Sequence, residues 1–298
     1  MDLSFRGTRG GSLYATRLGS SATSVALLLD AASLPERINK SSRVIIKPNL
    51  VEALQPPITT PVGLVSSIVE YIQSNSPGVE VIIADGTGSL DYDTAHVFRE
   101  LGYAEAASRL RVRLIDLNNE ELVSLQIPGL KRWPEFYLPK LVMESFLLSV
   151  PVLKAHTLAG VTLTMKNMVG LAPPSHYQQG GHWRKSSFHT DIDEAVYELN
   201  RYRTPDFTVL DATVGMREAH LWGAHLDPPP GLIVAGSDPV KIDAFGASLL
   251  NRDWREVGHI RLANGVIGEA EPNMPEFVEG EETESGAGVK PSEELTRD

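Results

Sequence analysis

Cysteine does not occur among the 298 residues. Its absence excludes disulfides, thiolate zinc sites, cysteine nucleophiles and cysteine-ligated iron–sulfur clusters, and it fits a reducing compartment. Long apolar runs are missing too. None reaches the ~18 residues a membrane-spanning helix needs. The basic, Ser/Gly-rich opening MDLSFRGTRGGSLYATRLGSS is followed only by VALLLD, which is too short for a signal-peptide core and ends in Asp30. These absences lead us to expect a soluble, cytoplasmic protein with no membrane partner. Positive charge is also in short supply. The formal net charge is −11, so non-specific nucleic-acid binding is not expected. Several signatures do not appear: no G-x-x-x-x-G-K-[ST] phosphate loop, no G-x-G-x-x-G after a strand, no G-x-S-x-G elbow and no H-E-x-x-H helix.

What is present reads as an ordinary globular chain, 42% hydrophobic and 22% charged. It is long enough for one large α/β domain or two smaller ones. The acidity is uneven. From Gly268 to Asp298 ten acids face two bases, Lys290 and Arg297, so this stretch holds −8 and the remaining 267 residues only −3. We expect an irregular lead-in over 1–22, a single α/β domain over 23–267 and an acidic, disordered tail over 268–298. Solubility is the simpler role for that tail; docking a partner is the other.

Along the body, strands alternate with helices. RVIIKPN (Arg43–Asn49), VEVIIAD ending at Asp85, VRLIDL (Val112–Leu117), SFLLSVPVLK (Ser145–Lys154), DFTVLDAT ending at Asp211 and GLIVAGSD read as strands. SVALLLD (Ser24–Asp30) reads as a strand or as the start of a helix. TPVGLVSSIVEYIQSN reads as a helix with Thr60 as N-cap and Pro61 at its first position. DTAHVFRELGYAEAASRL gives one or two helices broken near Gly102. TDIDEAVYELNRYR gives a helix capped by Thr190 or Asp191, and the segment after Ser237-Asp238 gives another. EELVSLQIPGLKRWPEFYLPKLVME reads as a β-meander or a hairpin with Pro-rich turns, an antiparallel insertion near residues 118–144. Several strands are apolar on both faces, the pattern of a mostly parallel sheet covered by helices on both sides.

In such a sheet ligands bind beyond the carboxyl ends of the strands. Polar residues fall at those ends: Lys47 and Asn49; Asp85, Gly86, Thr87 and Gly88; Lys154 and His156; Asp211 and Thr213; Ser237 and Asp238. If all strands are parallel, the five groups share one rim. Lys154 and His156 alternate and so point the same way on an extended chain. After Gly160 a short helix over VTLTMKNMVGL would return Lys166 and Asn167 to that rim. Plainer readings stand beside these. DGTG can be a tight turn, Asp238 a helix cap, Asp211 a turn cap, Lys47 a snorkelling side chain, Lys166 and Asn167 an exposed helical face, and Lys241 and Asp243 a solvated face. His176, His182 and His189 follow no standard metal spacing. With Trp183, Arg184 and Lys185 among them, that segment reads better as a mobile lid. His220 and His225 flank LWGA in a second loop, while His96 and His259 read as structural or surface residues.

VIIKPNLV, IADGTGS, VPVLKAHTLAGVTLTMKNMVGL, DFTVLDATVGMREAHLWG and GLIVAGSDPVKIDAFGASLL occur in this order. Together they resemble the blocks of the domain of unknown function 362 family, over about Arg43 to Leu250. The resemblance implies a shared domain and a shared polar rim, and no particular reaction. Many relatives carry a ferredoxin-like iron–sulfur module; a cysteine-free chain cannot ligate such a cluster.

Three functional readings follow. In the first, an enzyme acts on a small anionic metabolite. Lys47, Lys154 and Lys166 hold a carboxylate or phosphate, Asn49 and Asn167 add hydrogen bonds, and Gly86, Thr87, Ser237 and Asp238 complete the binding rim. Asp85 or Asp211 acts as general base or divalent-metal ligand, and His156 as acid–base partner. A lysine of lowered pKa is an alternative base or nucleophile. In the second, a non-catalytic protein binds a cofactor or a separate redox partner. In the third, a metal-dependent enzyme uses His176, His182 or His225 with Asp211.

Overall fold

Val44, Ile45 and Ile46 are consecutive and all fully buried. Successive side chains on a strand point to opposite faces, so this strand is covered on both. The computed structural model describes residues 11–17 and 21–279. In chain order it opens with β1 (Leu13–Arg17), α1 (Ser21–Ala31), α2 (Leu34–Ile38), β2 (Arg43–Pro48), α3 (Val62–Asn75) and β3 (Glu80–Asp85). Then come α4 (Thr94–Glu100), α5 (Tyr103–Leu110), β4 (Arg113–Asp116), β5 (Leu122–Gln126), β6 (Glu135–Pro139) and α6 (Lys140–Met143). β7 (Phe146–Val150), β8 (Val152–His156), β9 (Gly160–Thr162), α7 (Thr164–Asn167), α8 (Pro174–Tyr177) and α9 (Ile192–Tyr202) follow. The last are β10 (Phe207–Met216), β11 (Leu232–Gly236), α10 (Pro239–Leu249), α11 (Gly258–Ala263) and β12 (Glu276–Phe277).

The main sheet has ten strands, in the order β12-β1-β11-β10-β7-β2-β3-β4, with β8 joined to β10 and β9 to β8. β10, β7, β2, β3 and β4 run parallel. β11 runs antiparallel to both β10 and β1. β8 leaves β7 at Pro151, pairs with β10 as far along as Met216, and carries β9 antiparallel on its other side. Val44, Ile46, Val81, Ile83 and Leu148 pack under α1, α3 and α5 on one face. Ile45, Ile82, Ala84 and Leu147 meet α9 and the β5–β6 hairpin on the other, and α10 and α11 cover Leu210, Leu232 and Val234. The fold is therefore α/β, with a large mostly parallel sheet, a small antiparallel part and helices on both faces.

The hairpin is a separate two-stranded sheet. Phe136 anchors it: this ring has no exposure and stacks on Tyr177 at 4.6 Å and Tyr202 at 5.4 Å. Burying it contributes ~1.5–3 kcal/mol. Trp133 and Phe188 complete the aromatic cluster, so the loop after α8 is pinned to the body by packing.

Of the two readings of Ser24–Asp30 the helix holds, within α1. Several expectations need correction. Thr60 does not cap α3: its hydroxyl donates to Val150 O at 2.6 Å and accepts from Asn49 N at 2.8 Å, and Pro61 is the N-cap. Asp211 does not end β10, which continues to Met216. Lys241 and Asp243 are buried rather than solvated, because α10 is enclosed on all sides. Residues 268–279 lie against the body: Ala270 is fully buried, Glu269 N donates to Asp238 Oδ2, and β12 pairs with β1. The expected lead-in contains β1, at residues 13–17; residues 1–10, 18–20 and 280–298 lie outside the described residues.

Candidate functional site

β2 closes with Lys47 and Pro48, the last residue it pairs with β7, and β3 ends where Asp85 meets Gly86. The strands are neighbours, so these two ends meet. Lys47 Nζ lies 2.6 Å from Asp85 Oδ1 with both side chains at most 3% exposed. It also donates to Pro48 O at 3.1 Å and Asn167 Oδ1 at 3.2 Å. All three ammonium hydrogens thus have acceptors. Burial lowers the Lys47 pKa, and the Asp85 carboxylate opposes that shift. Asp85 is held in turn by Leu50 N and Gly86 N, each at 2.8 Å.

α7 brings Asn167 to the same place. Its start is fixed from below by Asp243, whose carboxylate accepts from Thr164 N at 2.7 Å and Met165 N at 2.9 Å. Burial pushes the Asp243 carboxyl up to about 7 against those bonds. Asn167 Oδ1 accepts from Asn49 Nδ2 at 3.0 Å, and its amide donates to Ser149 Oγ at 3.0 Å. Asn49 Oδ1 accepts from Lys154 Nζ at 2.8 Å. The second partner of Lys154 is Ile58 O at 2.7 Å. Lys154 is 1% exposed and forms no ion pair among the described residues, so burial, reinforced by the Lys166 charge, holds its pKa well below the usual lysine range.

These groups line a cavity of about 100 Å³ beyond the carboxyl ends of β2, β3 and β8. Its lining includes Lys47, Asn49, Asp85, Gly86, Gly88, Lys154, His156, Lys166 and Asn167, nine of the fourteen residues that the sequence placed at the rim. It also includes Lys185, His189 and His220, which strand-end reasoning did not select. Lys185 comes from the loop after α8, where Arg184 N donates to Gly88 O and Lys185 Nζ to Gly170 O at 2.7 Å. The expected lid is thus docked, with Trp183 and Phe188 in the cavity wall. Lys166 makes no hydrogen bond or ion pair among the described residues. Burial lowers its pKa to about 8 and that of Lys185 to about 7. The cavity therefore holds four lysines and one carboxylate, which is already paired.

Burial holds the cavity histidines toward the neutral form. His156 Nδ1 accepts N–H bonds from Leu158 and Ala159, both at 3.1 Å. That assigns its ring proton to Nε2. Its ring stacks on His220 at 4.2 Å between centroids. Burial, aided by the Lys166 charge, pushes His156 far below its usual value and His220 down to about 3; His189 is lowered for the same reasons.

Five rim residues, Thr87, Asp211, Thr213, Ser237 and Asp238, do not line the cavity. Ser237 and Asp238 follow β11, which runs antiparallel to β10, so they sit at the opposite end of the sheet. Asp238 caps α10 through Val240 N and Lys241 N. Asp211 lies within β10 and folds back on Thr213, accepting from its N at 2.9 Å and its hydroxyl at 2.6 Å; burial raises its pKa. Thr87 is turned toward Val51 O, to which its hydroxyl donates at 2.9 Å. The loop histidines do not gather either. His176 stacks on Tyr137, and His182 and His225 are exposed. Among the described residues no group of three or more His, Asp or Glu could hold a metal ion.

The profile of the family described as "Domain of unknown function (DUF362)" matches residues 44–248, and the chain belongs to that family. No curated protein matches it. Among solved structures, the chain is similar to the lactate racemase apoprotein from Thermoanaerobacterium thermosaccharolyticum, at 14% identity and a TM-score of 0.49, over 86% of this chain. The match spans 60% of the length of that protein.

Proposed function

We propose that this member of the DUF362 family is an enzyme acting on a small anionic metabolite, with a carboxylate or phosphate, bound in the lysine-lined cavity. The observation that carries this reading is the Lys166 ammonium, which lines the cavity and has no partner among the described residues. A partly buried charge without a counter-charge is costly, and a bound anion would supply one. Lys185, whose ammonium is tied among the described residues only to the Gly170 carbonyl, is the second cation for the ligand. The Lys47–Asp85 pair is internally neutral and serves as a fixed wall. His156 Nε2–H is a donor for an oxygen on which negative charge develops, with its tautomer set by two backbone N–H groups. Asn49 and Asn167 fix the positions of the lysines around it.

The test is calorimetric titration of the full chain with inorganic phosphate and, separately, with pyruvate. Saturable binding that falls roughly tenfold or more in Lys166→Met, the loss of one charge-assisted hydrogen bond, is the expected result. Failure of both anions to bind the wild-type chain would sink the reading.

A further inference from the structure

The two innermost lysines differ in a way that anion binding does not use. Lys47 Nζ has three acceptors, one of them a carboxylate. Among the described residues Lys154 Nζ has two, Asn49 Oδ1 and Ile58 O, both neutral carbonyl oxygens. A buried ammonium with this environment would leave its third N–H without an acceptor and its charge without a counter-ion. The neutral amine fits instead. Its two N–H groups match the two acceptors, and the lone pair is the one position on the nitrogen left unengaged. Burial and the nearby Lys166 cation favour the same form. Lys154 also lines the cavity with Lys166, and His156 stands two residues on along β8, on the same face.

We infer that Lys154 is a nucleophilic amine that forms an imine with the carbonyl carbon of an oxo-carboxylate whose carboxylate is held by Lys166. This rests on the anion site proposed above and names its substrate class. The lone pair of Nζ attacks the carbonyl carbon, a C–N bond forms, and the carbonyl π electrons move to oxygen. The amine's two hydrogens leave with that oxygen as water: one reaches it in the carbinolamine, the other at dehydration. His156 keeps its Nε2 proton and donates a hydrogen bond from it to the departing oxygen, which takes its second proton from the nitrogen. No oxidant or reductant is consumed. The product is an imine, whose carbon–nitrogen double bond draws electrons from the adjoining carbon.

The test uses the full wild-type chain with pyruvate and sodium cyanoborohydride, which reduces an imine to a stable secondary amine. Intact mass and peptide mapping then locate the adduct. The expected result is one adduct per chain, the mass of pyruvate less water plus two hydrogens, mapped to Lys154 and absent from Lys154→Met. Lys166→Met should lower the yield at subsaturating pyruvate roughly tenfold or more. An adduct on another lysine would overturn the inference. So would calorimetric binding of pyruvate without any adduct, although the anion site would then stand. Binding of phosphate without binding of pyruvate would overturn the oxo-carboxylate class alone, and binding of neither anion would overturn both proposals.

Discussion

Asn49 and Asn167 are joined by a 3.0 Å bond from the Asn49 amide to the Asn167 carbonyl oxygen, and through it two lysines of opposite character are linked. Lys154 donates to Asn49, and Lys47 donates to Asn167 and to Asp85. The chain Lys154–Asn49–Asn167–Lys47–Asp85 crosses from β8 to β3 through buried residues only. Each amide must present its oxygen to an amino group, so the network fixes which way both side chains face.

A network of this kind should be cooperative. Asn49→Ala and Asn167→Ala each leave at least one buried polar partner unsatisfied and should each cost ~1–3 kcal/mol. The double variant should cost less than the two costs added together, by ~0.5–3 kcal/mol. A double-mutant cycle by urea unfolding measures the difference; strict additivity would show that the two amides act independently.

Asp85→Asn keeps the side-chain shape and removes the counter-charge of Lys47. It should destabilise the protein by ~3–5 kcal/mol, the usual penalty for orphaning one member of a buried pair. Adding Lys47→Met should recover part of that loss, because the uncompensated charge is then gone. Unfolding midpoints of the three variants decide this: a Lys47→Met/Asp85→Asn double variant no more stable than Asp85→Asn would contradict it.

Gly170 is required for room, not for backbone conformation. A Cβ there would fall on Lys47 Nζ and Asp85 Oδ1. Gly170→Ala should therefore displace the ion pair and cost ~1–3 kcal/mol. Gly63 lies inside α3 with nothing within 4 Å of its would-be Cβ, so Gly63→Ala should instead stabilise by ~0.4–1 kcal/mol. Thermal unfolding of the two variants side by side should give shifts of opposite sign.

The residues that meet in the cavity from the strand ends carried local signals. An apolar β-branched run closed by Lys47-Pro48-Asn49, or by Asp85-Gly86, states both that a strand stops and what stands at its end. Lys154 and His156 share a face by alternation alone. The orientation of β11 had no such signal. LIVAG is buried on both faces whether the strand runs parallel or antiparallel, so Ser237 and Asp238 were drawn to a rim they do not occupy. Asp211 misled for a related reason: nothing in VLDATVG marks that β10 continues beyond the acid. Lys185 and His189 enter from a loop placed by long-range packing of Phe188, Tyr177 and Trp133 and by the bond from Arg184 N to Gly88 O, and His220 enters from the segment after β10, where it stacks on His156. Their sequence neighbourhood shows histidines, aromatics and bases in a loop, without saying which of them turns inward.

The cavity lysines make two pH effects run in opposite directions. In the unfolded chain Lys166 titrates near 10.5, whereas in the folded protein burial brings it to about 8. Between those values the unfolded state binds more protons, so the stability of the ligand-free protein should rise with pH, by at most about 1.4 kcal/mol per unit for this group. Lys185 adds the same slope from about 7 upward. Anion binding needs the ammonium, so affinity for phosphate should fall as pH passes about 8. Since a ligand stabilises only in proportion to its occupancy, the gap between the unfolding curves with and without phosphate should narrow from pH 7 to pH 9.5. In Lys166→Met the ligand-free slope should be shallower and the phosphate gap small throughout. Unfolding by urea at a series of pH values, with and without phosphate, measures both slopes in one experiment. A ligand-free stability that falls from pH 8 to pH 10 in the wild type, with no difference from Lys166→Met, would mean that Lys166 keeps an ordinary pKa and is not the partly buried, unpartnered charge on which the proposed site depends.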